Sequence, residues 1–262
     1  MKNYGAMHQR WMYLQLSLKM ENYDTFPLVY DDLMDKSLYE KWVNFVVRHS
    51  THNTSLLDLG CGTGEFALRL AERYDVSGLD LAANMLVLAQ EKFTRANIGI
   101  PLFEANMLDF DLGQTFETIT CLSDSLNYMP DEASVLNVFE RVLAHLSDTG
   151  TFIFDVHSTH KVDVLFDNYV FADNDDDVSF IWRSFKGEHD HSVEHDLSFF
   201  LYDEEMDMYT RRDELHCERT YPIATYERLL AAAGFQSVKV CADFTDDAPT
   251  ATSERLFFVC HK

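Results

Sequence analysis

The spacing of hydrophobic positions changes partway along the chain, and the change divides it. In "YDDLMDKSLYEKWVNFVVRHS" (30–50) apolar residues recur three and four apart, which predicts an amphipathic helix. A short apolar run, "SLLDLG" (55–60), reads as a buried strand. Helix "GEFALRLAERY" (64–74), strand "VSGLDL" (76–81) and helix "AANMLVLAQEKFTRA" (82–96) follow. Strands "PLFEANM" (101–107) and "FETITCLS" (116–123), helix "DEASVLNVFERVLAHLS" (131–147) and strand "GTFIFDV" (150–156) continue the alternation. Strands alternating with helices predict an α/β fold: a Rossmann-like, mostly parallel sheet with helices on both faces.

From about Val178 to Tyr221 the period becomes two, in "VSFIWRSF", "SVEHDLSFFLYD" and "MYTRRDELHCERTY". This is the mark of antiparallel strands with one wet face, and it predicts a small inserted sheet. The acidic "FADNDDDV" (171–178) before it reads as a solvated loop. Helix "IATYERLLAAAGF", with Gly234 as its C-cap, then leads into a closing strand pair, "SVKVCADF" and "ERLFFVCHK". The expected organisation is an N-terminal extension (1–19), a helical lid region (20–54), an α/β core (55–177), the insert over the active site (178–221) and the last helix and strand pair of the core (222–262).

Composition narrows the partners. Acids outnumber bases 44 to 21 in 262 residues, for a net charge of −23. Such a field repels phosphate backbones, and the only adjacent basic pair, Arg211-Arg212, is flanked by acids, so nucleic acid is not an expected partner. No apolar run reaches membrane-spanning length, and residues 1–20 lack the continuous apolar core of a signal peptide. Five cysteines without a CxxC pair suggest reduced thiols in a cytoplasmic protein.

The chemistry concentrates after the first strand. Gly60, Gly62 and Gly64 let backbone approach a ligand, and the helix they open has N–H groups to offer. Asp80 ends the second strand twenty residues beyond Gly60, where an acid accepts hydrogen bonds from ribose hydroxyls. A dinucleotide site has the spacing GxGxxG and a pyrophosphate over the helix. Here the spacing is GxGxG, and Asp58 and Glu65 flank the loop. Two carboxylates disfavour a pyrophosphate and favour a cationic ligand. S-adenosylmethionine (SAM) carries a sulfonium, an ammonium and a ribose, and no phosphate.

The series "LLDLGCGTGEFALRLAE", "VSGLDLAANMLVLAQEK" and "FEANMLDFDL" resembles the successive motifs of class I SAM-dependent methyltransferases, over roughly residues 23 to 156. The resemblance implies that Asp58 to Gly64, including Cys61, line the methionine half of SAM. It implies that Asp80 binds the ribose, with Leu81 against the adenine. Asn106, where the family often has Asp, binds the adenine amino group beside the Met107 backbone. Cys121 to Asp124 pass under the methyl donor, and Tyr30, in a lid-like "FPLVYDDLM", reaches the SAM carboxylate or the substrate. The reaction implied is methyl transfer to a small-molecule acceptor, with Asp124, His157 and His216 as candidate general bases where the acceptor must lose a proton.

Blander readings stand beside these. Asp58 can cap the loop, Asn106 can be a turn residue, and Cys61 a loop filler. His189, His191 and His195 alternate as a metal site would, but a wet strand face is expected and no metal. Arg212, Glu214 and His216 share one face and could line a substrate cavity. Tyr23, Phe26, Tyr30, Tyr128 and Trp182 could cage a methyl acceptor, although most of the 35 aromatic residues must be core. Rival functions are a SAM-binding sensor without catalysis, an RNA methyltransferase and a nicotinamide oxidoreductase. Monomer and homodimer both remain open.

Overall fold

A computed structural model describes residues 36–52, 54–174, 178–203 and 206–262. Helix α1 (Lys36–His49) buries Tyr39, Trp42, Val43, Phe45 and Val46, a single apolar stripe. Each of the larger side chains stabilises the fold by roughly 1.5–3 kcal/mol through burial. The stripe lies on the sheet, where the Phe45 ring centroid sits 4.3 Å from that of Phe257.

The main sheet has seven strands. In chain order these are β1 (Ser55–Leu59), β2 (Asp75–Asp80), β3 (Leu102–Glu104), β4 (Phe116–Cys121), β5 (Leu146–His157), β10 (Ser237–Ala242) and β11 (Arg255–His261). Their spatial order is β10-β11-β5-β4-β1-β2-β3. Every neighbouring pair is parallel except the two that include β11. Order reverses between β1 and β4, so a crevice opens at the carboxyl ends of those two strands, the usual ligand position in open α/β sheets.

Both faces are covered. Alternation along β1 sends Leu57 and Leu59 to a core shared with α4 (Glu132–His145) and α5 (Ile223–Ala233). Leu56 joins the opposite core, with α1, α2 (Glu65–Leu70) and α3 (Ala83–Ala96). Asp131 caps α4 by accepting from Ser134 N–H at 2.8 Å, and Gly234 ends α5 at φ +114°. Helix α2 is shorter than its apolar pattern suggests, because residues 71–74 form a turn that feeds β2.

A second sheet is wholly antiparallel, in the order β6 (Val170–Asn174), β7 (Val178–Lys186), β8 (Ser192–Asp203), β9 (Met208–Arg219). Strand β6 corrects the expectation of a solvated loop from residue 171. It is an exposed edge strand, and its mixed composition hid it. Among the described residues no helix is long and apolar enough to cross a membrane.

Candidate functional site

The glycine turn is held by its own backbone. Gly60, Gly62 and Gly64 all have positive φ (+77°, +53° and +74°). Gly60 and Cys61 N–H both donate to the Leu79 carbonyl, at 2.7 and 3.0 Å, and Gly64 N–H donates to the Cys61 carbonyl at 2.9 Å. Gly62 N–H donates to Asp80 Oδ2 at 2.8 Å, while Ala82 N–H donates to Oδ1 at 2.8 Å. The turn therefore spends these four N–H groups internally. Each Asp80 oxygen keeps acceptor capacity.

The glycines differ in purpose. A Cβ on Gly64 would come within 2.5 Å of the Phe93 ring, so this glycine lets α3 approach. A Cβ on Gly62 would meet nothing within 4 Å. The Cys61 thiol is buried against Gly78, where a Cβ would lie 2.9 Å from the sulfur. Burial pushes that thiol, and the thiol of Cys121 in the core, well above their ordinary range, so neither is a nucleophile.

Above the turn lies an open cleft lined by Tyr39, Trp42, Asp58, Cys61, Thr63, Glu65 and Leu122, and by Gly60, Gly62, Ser123 and Ser125. Asp58 is 3% exposed. Thr120 Oγ1 donates to its Oδ1 at 3.0 Å, and its buried Oδ2 has no hydrogen-bond partner. Burial pushes the Asp58 carboxyl up to about 7, against the Thr120 hydrogen bond and with help from the charge of Asp80. Glu65 differs: burial works against its charge, but Lys92 at 2.9 Å and Arg69 at 2.8 Å hold it below its usual range. The anionic character around the turn thus rests on Asp58, which lines the cleft, and on Asp80 behind Gly62, while Glu65 is already neutralised by its partners.

Strand β4 leaves the sheet through a tight turn in which Ser123 and Asp124 both have φ +55°. Non-glycine residues seldom hold that conformation, and consecutive ones rarely do. The turn places Ser123 and Ser125 on the cleft and carries Asp124 into a buried polar cluster. Arg255, at the start of β11, donates to Asp124 Oδ1 at 2.7 Å and also pairs with Asp155. His157, at the end of β5, has Nε2 3.6 Å from Asp124 Oδ2 and 3.5 Å from Glu218 Oε2 on β9. Burial lowers the His157 pKa well below its ordinary value and raises that of Glu218 well above. Burial also opposes the Asp124 charge, but His157 and then Arg255, which adds a hydrogen bond, hold that carboxyl low. The result is a neutral imidazole facing a neutral carboxyl beside a paired carboxylate. The imidazole can take one proton. A divalent cation here would face Arg255 and Lys161, both of which bear on the cluster.

The structure brings Asp124 and His157 together and leaves His216 in a separate chain of contacts. His216 Nδ1 lies 3.0 Å from the Tyr128 hydroxyl, and its Nε2 lies 3.1 Å from Glu214 Oε2. The shared face expected for Arg212, Glu214 and His216 holds for the last two, but runs on to Glu218 and leaves Arg212 exposed. His189 is exposed, His191 pairs with Asp163 at 2.7 Å, and buried His195 meets Ser184 and Trp182. These three histidines do not converge. Leu81 is 66% exposed, an apolar side chain next to Asp80. Asn106 Oδ1 accepts from Leu108 N–H at 2.9 Å, so Asn106 is at least a turn residue, and the partly buried Met107 packs on the core. Tyr23, Phe26 and Tyr30 lie outside the described residues.

Residues 56–150 match the family described as "Methyltransferase domain". A protein of Geobacillus sp. (strain WCH70) named "Putative methyltransferase" is 42% identical over 246 residues, covering 92% of this chain and 99% of the relative. The crystal structure of an S-adenosylmethionine-dependent methyltransferase from Clostridium acetobutylicum ATCC 824 superposes with a TM-score of 0.80 at 28% identity. It covers 91% of this chain and 98% of that one. The chain belongs to the class I SAM-dependent methyltransferases. The sugar N-methyltransferase KedS8 from Streptoalloteichus sp. ATCC 53650 is also similar, with a TM-score of 0.72 and 25% identity over 91% of this chain and 93% of that one.

The residues present fit the methyltransferase cofactor. The unpartnered Asp58 Oδ2 suits an ammonium, the open side of Gly62 leaves room for a ligand chain, and Asp80 stands directly behind Gly62, held by its N–H. Sequence reasoning missed Trp42, Glu218 and Arg255. Trp42 looked like one more core aromatic, and Arg255 lies 131 and 100 positions from the two acids it pairs with. Glu218 alone had a signal, the continued alternation of Glu214 and His216.

Proposed function

We propose that this methyltransferase modifies the nitrogen of a small-molecule amine, in the cytoplasm. The carrying observation is the turn at residues 122–125, which puts the cofactor cleft and the Asp124–His157–Glu218 cluster on either side of one short segment. When bound, SAM supplies an electrophilic methyl group. Asp58 would hold its ammonium, Asp80 its ribose, Leu81 the adenine face, and Asn106 with the Met107 backbone the adenine edge. The protein's remaining work is to align acceptor with methyl and to exclude water.

An amine is mostly protonated at neutral pH and must shed a proton before or as it attacks. Asp124 is already paired with Arg255, so neutral His157 is the group left to take that proton, and the Asp124 carboxylate beside it would stabilise the imidazolium formed. The second sheet supplies Glu218 and His216, so acceptor specificity belongs to it. KedS8 is a sugar N-methyltransferase by name. A relative from Streptomyces fradiae, 37% identical over 109 residues, is named for N,N-dimethylation of a dTDP-linked amino sugar. Both support a nitrogen acceptor. Five unpaired cysteines fit a reducing compartment.

The test is a panel of amines, amino sugars and phenols incubated with methyl-labelled SAM. Label in an amine, lost in His157→Gln, supports the reading. Label only in phenols or carboxylates overturns it. A protein that binds SAM yet labels nothing in a metabolite extract would instead be a sensor.

A further inference from the structure

We infer that Trp42 is the donor for the carboxylate of the cofactor's amino-acid end, so that α1 and β1 together form a clamp for a zwitterion. The inference rests on SAM occupying the cleft above the glycine turn.

Two buried polar atoms belonging to residues that line this cleft lack a hydrogen-bond partner: Asp58 Oδ2 and Trp42 Nε1. Trp42 is 2% exposed. Leaving an indole N–H unpaired in a packed interior is costly, and a side chain chosen only for bulk there would be Phe or Leu. One orphan is a pure donor and the other an acceptor. An α-amino acid needs this combination: a donor for its carboxylate and an acceptor for its ammonium.

Four backbone donors of the turn are already engaged. The N–H groups of Gly60, Cys61, Gly62 and Gly64 are all committed to Leu79, Asp80 and Cys61. Lys92 and Arg69 both pair with Glu65, which lines the cleft. Arg255 supports the indole indirectly. Its guanidinium carbon lies 5.2 Å from the Trp42 ring centroid, and a cation over the ring draws electron density from it and strengthens the N–H as a donor. Arg255 itself is held by Asp124 and Asp155.

The experiment compares two adenosine thioethers by calorimetry. S-adenosylhomocysteine carries the amino-acid end, and 5′-methylthioadenosine lacks it. Trp42→Phe should weaken S-adenosylhomocysteine binding by about ten- to a hundred-fold, the range for a hydrogen bond to a charged group, and leave methylthioadenosine unchanged. In the unmutated protein, S-adenosylhomocysteine should shift one indole N–H proton resonance downfield, and methylthioadenosine should not. That second readout needs no variant. Equal losses for both ligands, or an indole signal that ignores S-adenosylhomocysteine, would show that Trp42 only packs the cleft wall. If neither thioether binds the unmutated chain, the cofactor reading fails first and the clamp with it.

Discussion

A single carboxyl makes folding and binding pull in opposite directions. Asp58 titrates near 7 in the folded protein, against an ordinary 3.8. Below pH 3.8 it is neutral in both states. As pH rises from 3.8 to 7 the unfolded chain ionises first, and the fold loses stability, on the order of a few kcal/mol in total. Above 7 the loss is complete and constant. Asp58→Asn should therefore be more stable than the unmutated protein at pH 8 and show little advantage at pH 4, by urea denaturation. The same variant should bind SAM more weakly, because a bound ammonium favours the ionised carboxylate, and unmutated affinity should rise from pH 6 to pH 8. The glycines separate likewise. Gly64→Ala should destabilise the fold by about 1–3 kcal/mol through overpacking against Phe93 and a strained φ. Gly62→Ala carries a similar strain at φ +53° but meets nothing within 4 Å, so it should lose less stability and more cofactor affinity than Gly64→Ala. The reverse ranking would mean that Gly62 does not border the ligand.

Elements explain which features could be read from the chain. The β1–α2–β2 unit was legible because its signals are local: a buried strand, glycines at fixed offsets, and an acid at the next strand end. So was the period-two stretch, since half-buried antiparallel strands alternate by geometry. Strand β6 was not, because an exposed edge strand has no buried face to impose a pattern. The polar cluster was half legible. Asp124 and His157 stand at the ends of β4 and β5, a position that suggested them. Their partners arrive from β9 and β11, and no local pattern encodes such a meeting. The electrostatic argument for SAM pointed correctly but leaned on Glu65, whose charge α2 and α3 neutralise. At this scale Arg255 is decisive. Arg255→Met should cost about 3–5 kcal/mol at pH 8, because it leaves Asp124 and Asp155 buried without their cation. Adding Asp124→Asn and Asp155→Asn should restore much of that stability, measured by denaturant midpoint. No recovery would show that Arg255 acts through Trp42 packing instead.

Across the whole molecule, the two sheets meet at the chemistry. Glu218 and His195 descend from the second sheet onto His157, and the Asn127 side chain bridges the two by donating to the Arg219 carbonyl and accepting from His157 N–H. Ligand in the cleft should stabilise the α1-bearing core directly, by about 2.7 kcal/mol at a hundred times Kd. Hydrogen exchange in β8 and β9 should slow as well if the sheets share one cooperative unit. Protection confined to β1, β2 and α1 would make the second sheet an independent unit.

Strand β11 enters between β5 and β10 against the direction of its neighbours, and it brings Arg255 to carboxylates that precede it by a hundred residues or more. During synthesis, every earlier strand of both sheets can emerge while Asp124 and Asp155 still lack their counter-charge. A nascent chain halted before residue 255 would hold mutual repulsion where the finished enzyme holds a paired triad. The charge balance of the polar cluster is therefore completed by the last strand of the chain.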